Sequence, residues 1–226
     1  FSADQGGLVY QPKIGVHKQV AQIDFVSLYP AIMVYFNISP ETILPNTNTD
    51  NIVPALGMAI DNSHEGLVPK ALRPLLEKRI ELKKYLASTP HWDPFREDFK
   101  HRASALKWLL VTCFGYLGYK NARFGRIEAH QAVTAYGREA LLCAKEAAEA
   151  MGFEVIQLYV DGLWVQHPDK TTPEEIEPLL LAIQERTVLP IALDGIYRWV
   201  VFVGSRHNKK RLVANSYFGV FQDGSI

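Results

Sequence analysis

The sequence has little cysteine and no long apolar run, and both absences narrow the classes of protein to which it can belong. Its 226 residues include two cysteines, Cys113 and Cys143. Two cysteines make no disulfide framework, and their spacing is not that of metal ligands, so we expect two buried, reduced thiols. No apolar run approaches the ~20 residues that a membrane-spanning helix requires. The first residues lack the basic and apolar stretches of a signal peptide. We therefore expect a cytoplasmic protein without a membrane partner.

Net charge is also absent, yet the basic residues are unevenly placed. Lys plus Arg and Asp plus Glu number 24 each, so the formal net charge is zero, which argues mildly against a protein covered in phosphate contacts. Local patches decide whether a phosphate backbone can dock, and positive charge is concentrated in segments 70–84, 100–107 and 206–211. The chain begins with Phe1, so we also expect a fragment of a longer protein or a processed product.

Periodicity and turn residues predict an α+β fold, in which helices cover one face of a mostly antiparallel sheet. Residues 68–87 and 95–114 are predicted to form two basic amphipathic helices, joined as an inserted helical hairpin. Pro74 indicates that the first of these helices has a later true start. The other predicted elements are a strand over 15–29, a short helix over 31–36, a loop over 37–66, helices over 128–151 and 173–187, and strands over 153–159, 163–167, 196–204 and 211–221.

Two aspartates, Asp24 and Asp161, are the candidates for chemistry. Asp24 ends an apolar strand, where a carboxylate has no turn to form and no cation near it in sequence. Asp161 and Gly162 lie between two apolar runs, which predicts a hairpin turn at this dipeptide. Either aspartate alone is more simply interpreted as a turn, capping or salt-bridge residue. Two carboxylates fixed at adjacent strand ends, however, repel each other unless a cation lies between them. Magnesium prefers one or two carboxylates plus substrate phosphates.

The sequence around Asp24 resembles motif A of the family B DNA polymerases. It reads Asp-Phe-Val-Ser-Leu-Tyr-Pro over 24–30, with the glycine pair Gly6-Gly7 upstream. Further segments resemble other parts of the family, in the expected order over nearly the whole chain. They are Asn-Ile-Ser-Pro-Glu-Thr over 37–42, the first fingers helix over 75–83, motif B over 107–123, a palm helix over 133–139, and the basic motif Lys209-Lys210-Arg211.

Three departures accompany this resemblance. The family's motif C usually reads Tyr-x-Asp-Thr-Asp, whereas the stretch here is Gln-Leu-Tyr-Val-Asp-Gly over 157–162. An ungapped match puts Asp161 on the second Asp, the metal ligand, and Tyr159 on the first. We prefer this match because a shortened hairpin would change the strand register. Motif B has Val111 and Phe114 where the family has Asn and Tyr, and Leu212 replaces an aromatic residue in the basic motif.

The resemblance implies a DNA-directed DNA polymerase that joins a dNTP to a primer 3′-hydroxyl with two Mg²⁺ ions. It implies Asp24, Asp161 and the backbone carbonyl of Phe25 as metal ligands. The implied contacts with the dNTP come from Ser27, Leu28, Tyr29, Arg79, Lys83 and Lys107. The implied contacts with DNA come from Gly6, Gly7, Lys209, Lys210 and Arg211.

The same resemblance implies a domain organisation and a set of partners. Residues 1–65 would form the first part of the palm, 66–123 the fingers hairpin, and 124–226 the second part of the palm. The partners would be primer-template DNA and dNTP, in replication or in repair. Exonuclease and thumb regions would lie on the same longer chain or on a partner subunit.

Two alternatives remain open. One is a catalytically impaired polymerase-like module that serves as a scaffold or a DNA-binding piece, which Tyr159, Val111 and Leu212 favour. Retention of both carboxylates and of the three fingers cations argues against it. The other is a nuclease that uses the same carboxylates, but hydrolysis would not need the basic helical hairpin.

Overall fold

The computed structural model describes residues 5–45, 51–90, 92–204 and 212–225. They form two compact units. One unit contains Val26–Tyr136, and the other contains Gly7–Phe25 and the chain from Gly137 onward. The helices are α1 (Leu28–Tyr35), α2 (Leu67–Ser88), α3 (Arg96–Leu117), α4 (Ile127–Ala150) and α5 (Pro173–Thr187). The strands are β1 (Val9–Tyr10), β2 (Gly15–Phe25), β3 (Ile43–Leu44), β4 (Ala59–Ile60), β5 (Glu154–Tyr159), β6 (Gly162–Gln166), β7 (Ile191–Gly204) and β8 (Leu212–Phe221).

A six-stranded antiparallel sheet forms the base of the unit that contains Gly7–Phe25. Its strand order is β1-β5-β6-β2-β7-β8, so β2 lies inside the sheet, between β6 and β7. Apolar residues on these strands pack together in a core of Val20, Ile156, Trp164, Tyr197, Val200 and Phe202. Helix α5 packs against β7. The predicted α+β class is thus confirmed.

The unit that contains Val26–Tyr136 is mainly helical. Helices α2 and α3 pack against each other and both pack against α1, so the predicted helical hairpin is confirmed. The apolar face of α2 buries Leu72, Leu76 and Leu82. Strands β3 and β4 form a separate two-stranded sheet. The expected division into palm and fingers at residues 65 and 123 stays a prediction.

The start of α2 differs from its prediction. Pro74 lies inside the helix, which begins at Leu67. Three backbone N–H groups at its start donate to side chains of the preceding loop: Gly66 to Asn37 Oδ1, Leu67 to Glu41 Oε1, and Val68 to Ser39 Oγ. Burial raises the pKa of the Glu41 carboxyl, but the hydrogen bonds from the Leu67 amide and the Ser39 hydroxyl outweigh burial and lower it. These side chains satisfy N–H groups that a helix start leaves without intrahelical acceptors, and so the helix forms ahead of Pro74.

Other predicted boundaries need correction too. Helix α1 begins at Leu28, so Tyr29 belongs to a helix rather than to the end of the preceding strand. Pro30 is compatible with this, because the first turn of a helix does not use its N–H groups. The predicted loop over 37–66 contains a 3₁₀ turn at Pro40–Thr42 besides β3 and β4. Strand β7 begins at Ile191 instead of 196.

The predictions about a membrane-spanning helix and about the two cysteines concern residues that the structure describes. In the described parts of the chain, no helix is both long and apolar enough to cross a membrane. Cys113 and Cys143 are free and half-buried, and burial raises the pKa of both thiols.

Replacement by alanine should change the free energy of unfolding in opposite directions at two glycines. A Cβ on Gly219 of β8 would lie 2.6 Å from the Trp199 carbonyl oxygen and 2.9 Å from the Val200 Cα. We expect Gly219→Ala to lower the free energy of unfolding by about 1–3 kcal/mol because backbone would have to move. A Cβ on Gly115 of α3 would meet no atom within 4 Å, so Gly115→Ala should raise it by about 0.5–1 kcal/mol. Urea unfolding of both variants checks this, and equal shifts of the same sign would contradict it.

Candidate active site

Asp24 is held near the end of the inner strand β2. Its Cα pairs with Gly162 of β6 on one side and with Ala192 of β7 on the other. Its Oδ1 lies 3.2 Å from the position that a Cβ on Gly162 would occupy. The glycine therefore leaves open the space beside the Asp24 carboxylate, and any larger residue at 162 would press against it.

Asp161 lies in the turn between β5 and β6. Tyr159 pairs with Gly162, so Val160 and Asp161 are the turn residues and Gly162 already belongs to β6. The predicted turn at Asp161-Gly162 is thus wrong by one residue, because Gly162 is needed in the strand next to Asp24. The Phe25 N–H donates to the Asp161 carbonyl at 2.9 Å. This bond joins the end of β2 to the turn and places the two predicted metal-binding aspartates at adjacent strand ends.

The turn has an unusual backbone conformation at Val160. This residue has a φ of 55°, which is rare for a β-branched side chain. The Asp161 N–H donates to the Tyr159 carbonyl at 2.7 Å, and the Val160 N–H donates to the Leu8 carbonyl at 2.9 Å. A three-residue turn with positive φ at its centre is strained, and the bond to Leu8 helps to hold it. Gly7, from the glycine pair predicted to bind DNA, directly precedes Leu8.

Metal ions differ in the number of protein ligands that they require, and Asp24 and Asp161 provide two. Among the residues that the structure describes, no group of three or more His, Cys, Asp and Glu side chains is arranged to hold a metal ion. Zinc sites take three or four protein ligands. Magnesium is commonly held by one or two carboxylates, with substrate phosphates and water completing its coordination. The pair Asp24 and Asp161 therefore fits magnesium.

Two tyrosines near Asp24 were not predicted from the sequence. With Gln22 and Asp194, Tyr197 and Tyr217 line a cavity of about 630 Å³, and the Tyr197 hydroxyl donates to Gln22 Oε1 at 2.9 Å. Burial raises the pKa of the Tyr217 hydroxyl, and the charges of Asp194 and Asp24 raise it further. Both hydroxyls remain protonated donors, since burial also raises the pKa of Tyr197. Gln22 could have been predicted as a neighbour of Asp24 from the sequence. It lies two residues before Asp24 on β2, and residues two apart on a strand share a face.

In the mainly helical unit, the structure brings Arg79 to Ser27. Arg79 of α2 is 7% exposed, and its Nη1 donates to Ser27 Oγ at 2.5 Å. Ser27 precedes α1 and has a left-handed backbone, with φ 56° and ψ 52°. Burial of a charged group is costly unless it is paired, so Arg79 is placed for a specific interaction. Lys83 is half-buried one turn further along α2, and Lys107 is exposed on α3.

Tyr29 belongs to a series of stacked rings in the same unit. Its ring centroid lies 4.4 Å from that of Phe114, which in turn lies 4.3 Å from the His130 ring. A Cβ on Gly118 would come within 2.7 Å of His130 Cδ2, so a glycine is required there for the ring to approach. Phe114, where the resemblance expected Tyr, therefore packs directly on the ring of Tyr29.

The remaining predicted site residues have simpler outcomes. Leu28 is the first residue of α1 and is buried. Gly6 has a φ of 68°, a conformation that favours glycine. Lys209, Lys210 and Arg211 lie outside the described residues, so their contact with DNA stays a prediction.

The strain at Val160 can be tested by substitution. We expect Val160→Asn to raise the free energy of unfolding by about 1 kcal/mol, because asparagine tolerates the left-handed region better. The matched control is Val16→Asn on the extended strand β2, where Val16 is 66% exposed. That change should lower stability by up to about 1 kcal/mol, because valine favours strands and asparagine does not. Denaturant unfolding measures both, and equal losses would show that Val160 is unstrained.

Comparisons with known proteins show the family to which this chain belongs. The model of the family described as DNA polymerase family B matches residues 2–175. DNA polymerase 2 of Saccharolobus solfataricus is 35% identical over 94% of this chain and 30% of its own length. DNA polymerase 2 of Aeropyrum pernix is 33% identical over 98% of this chain and 27% of its own length. The solved family B DNA polymerase of Pyrobaculum calidifontis has a TM-score of 0.72 and 29% identity, over 99% of this chain and 28% of that one. This chain belongs to DNA polymerase family B, and it spans about 30% of the length of these relatives.

Proposed function

We propose that this chain is the palm and fingers region of a DNA-directed DNA polymerase, which adds dNTP to a primer 3′-hydroxyl by two-metal nucleotidyl transfer. Because the chain spans only part of its relatives' length, the proposal concerns the longer polymerase that contains it. The observation that carries the proposal is the backbone arrangement of the two aspartates. Asp24 pairs with Gly162, and the Asp161 carbonyl accepts a hydrogen bond from the Phe25 amide. Two carboxylates at adjacent strand ends are what a magnesium-dependent phosphoryl transfer requires.

In this proposal, Asp24, Asp161 and the Phe25 carbonyl would hold two magnesium ions. When bound, the ions would lower the pKa of the primer hydroxyl and neutralise negative charge on the leaving pyrophosphate. The protein fixes the carboxylates before substrate arrives, because β2, β6 and the strained turn hold their backbones in the sheet. Such preorganisation costs no rearrangement during the reaction.

The triphosphate would be bound by residues of the helical unit. The Ser27 hydroxyl and the Leu28 amide lie at the N-terminus of α1, where backbone N–H groups and the helix dipole favour an anion. Arg79, Lys83 and Lys107 would stabilise the negative charge that shifts toward the β- and γ-phosphates. Tyr29, whose ring packs on Phe114, would lie under the sugar and exclude a 2′-hydroxyl.

A catalytically impaired module remains the second candidate, and a specific observation favours it. Val111 is exposed on α3 at the position where the resemblance expects an asparagine that contacts the triphosphate. The measurement of primer extension decides between the two candidates.

Removal of either carboxylate should abolish primer extension. We expect Asp24→Ala and Asp161→Ala to slow extension by the full-length polymerase roughly 10³-fold or more, because each removes a ligand on which metal-ion catalysis depends. Asp169→Ala is the matched control, since Asp169 is an exposed aspartate of the same unit and should keep full activity. Equal extension by wild type and both variants would refute the assignment of Asp24 and Asp161 as metal ligands, and no extension by wild type with Mg²⁺ would support the impaired module.

Replacement of Lys107 by alanine should weaken the binding of dNTP. We expect Lys107→Ala to raise the KM for dNTP about tenfold or more, since a charge-assisted hydrogen bond is worth about 1.5–3 kcal/mol. The control is Lys84→Ala, which removes an exposed lysine of α2 that has no proposed contact with substrate. Steady-state kinetics with varied dNTP measure both. A KM for Lys107→Ala equal to that of the control would remove Lys107 from the proposed site.

A further inference from the structure

A row of paired residues crosses the sheet from Tyr159 to Asp24. Tyr159 of β5 pairs with Gly162 of β6, and Gly162 pairs with Asp24 of β2. Directly paired residues of antiparallel strands place their side chains on the same face, with Cα atoms about 5 Å apart. Tyr159 and Asp24 therefore share a face of the sheet, and their Cα atoms are separated by about 10 Å.

Gly162 adds no side chain between these two residues. A Cβ at Gly162 would lie 3.2 Å from Asp24 Oδ1, so the carboxylate borders the open space above the glycine. Sites that hold two metal ions place them about 4 Å apart, and magnesium takes its oxygen ligands at about 2 Å. Ligands of such a pair can thus lie about 8 Å apart, and a side chain at position 159 would flank ions held by Asp24 and Asp161.

Tyr159 is a fixed and neutral member of this row. It is half-buried and packs against the core cluster that includes Val20, Ile156 and Trp164. Apolar contacts therefore hold the ring in place. A tyrosine side chain is uncharged at neutral pH, whereas an ionised aspartate or glutamate is an anion. The row thus brings one negative charge to the site, that of Asp24, where it could have brought two.

The candidate metal site has two carboxylates. Within the part of the chain that the structure describes, no group of three His, Cys, Asp or Glu side chains is placed to hold an ion. Asp194 of β7 accepts a hydrogen bond from the Gln22 amide at 3.5 Å and does not complete such a group. The number of charged ligands tunes the affinity of oxygen sites for divalent ions. We therefore expect the protein alone to bind such ions weakly.

Charge balance indicates what would strengthen this binding. Two magnesium ions carry four positive charges, and the carboxylates of Asp24 and Asp161 neutralise two of them. The phosphates of a nucleoside triphosphate supply the remaining negative charge together with further oxygen ligands, which magnesium commonly takes alongside one or two carboxylates. Metal ions and triphosphate should therefore bind cooperatively to this site.

We propose that Tyr159 makes metal loading depend on the triphosphate, because it holds a neutral ring where a third carboxylate would bind the ions in advance. Tyr159 is then a specificity-determining residue, which sets how tightly the protein binds divalent ions before substrate arrives. This role rests on the proposed nucleotidyl transfer, in which the triphosphate is the substrate.

The test measures the binding of Mn²⁺ by the full-length polymerase without nucleotide. Mn²⁺ suits the same carboxylate ligands as magnesium, and electron paramagnetic resonance reports the concentration of the free ion. Wild type should bind with a Kd of about 10⁻⁴ M or higher, in the range of weak oxygen sites. Tyr159→Asp should lower this Kd about tenfold or more, because an added anion attracts the nearby cations.

Two controls separate charge at position 159 from other effects. Tyr159→Asn removes the same ring and adds no charge, so it should leave the Kd for Mn²⁺ at the wild-type value. Tyr10→Asp adds a charge on β1, where Tyr10 is exposed and pairs with Leu158, one residue outside the row. Its side chain faces the other side of the sheet, so this variant should also bind Mn²⁺ as wild type does. Midpoints of thermal unfolding identify a variant that fails to fold.

Reciprocity gives a second measurement. Mn²⁺ must strengthen nucleotide binding by the same factor by which nucleotide strengthens Mn²⁺ binding. Between EDTA and saturating Mn²⁺, the Kd for a fluorescent dNTP should fall at least about tenfold in wild type and less in Tyr159→Asp.

Several results would overturn the proposal. They are a smaller fall in wild type, an unchanged Kd for Mn²⁺ in folded Tyr159→Asp, and an equal gain in Tyr159→Asn or Tyr10→Asp. A wild-type Kd for Mn²⁺ below about 10⁻⁵ M without nucleotide, the range of sites rich in charged ligands, would do so even if Tyr159→Asp failed to fold.

Failure of this proposal is distinguishable from failure of the polymerase function. Asp24→Ala combined with Tyr159→Asp should remove the gain in Mn²⁺ affinity, which would locate the gain at this site. If the gain depends on Asp24 but wild type extends no primer, the polymerase activity fails and the role of Tyr159 in metal binding stays. If wild type extends primers and Asp24→Ala does not, but Tyr159→Asp binds Mn²⁺ as wild type does, the role of Tyr159 fails alone.

Discussion

The hydrogen bond from the Phe25 amide to the Asp161 carbonyl, at 2.9 Å, is the contact on which the candidate active site depends. It fixes the end of β2 against the turn between β5 and β6, and thereby brings two carboxylates of like charge to one edge of the sheet. Such an approach is unfavourable in the absence of a cation. The sheet makes it possible because Asp24 and Gly162 are held in register by main-chain pairing, and because Gly162 has no side chain to displace the Asp24 carboxylate. The strained backbone at Val160 shows that this arrangement is imposed on the turn by its neighbours.

In the helical unit, contacts that are distant in sequence order the residues proposed to bind dNTP. Arg79 reaches back over 52 positions to Ser27, and Tyr29 packs on Phe114 and through it on His130. Arg79 bonds to Ser27, which directly precedes α1, and Phe114 packs on Tyr29 within α1. A larger residue at Gly118 would displace His130 and, through Phe114, disturb Tyr29 without contacting it.

Much of the fold could be predicted from the sequence, because its signals are local. The helices predicted over 68–87, 95–114, 128–151 and 173–187 agree with α2, α3, α4 and α5 to within a few residues. The motifs around Asp24 and Asp161 predicted these two residues as metal ligands; the backbone holds them at adjacent strand ends, and their role as ligands stays a prediction. What failed depended on tertiary contacts: Pro74 was outweighed by capping side chains of Asn37, Ser39 and Glu41, and the turn moved by one residue because Gly162 is required beside Asp24. Tyr197 and Tyr217 carried no local signal, since aromatic residues on strands are more often core residues.

The proline inside α2 has a consequence for how this helix can bend. Pro74 has no N–H to donate to the carbonyl four residues earlier, so the helix is mechanically weakest there. The part before Pro74 is tied down by Asn37, Ser39 and Glu41, whereas the part after it carries Arg79 and Lys83. Bending at Pro74 would move the part of α2 that carries Arg79. The hydrogen bond between Arg79 and Ser27 would have to break first. That hydrogen bond therefore opposes bending of α2 at Pro74.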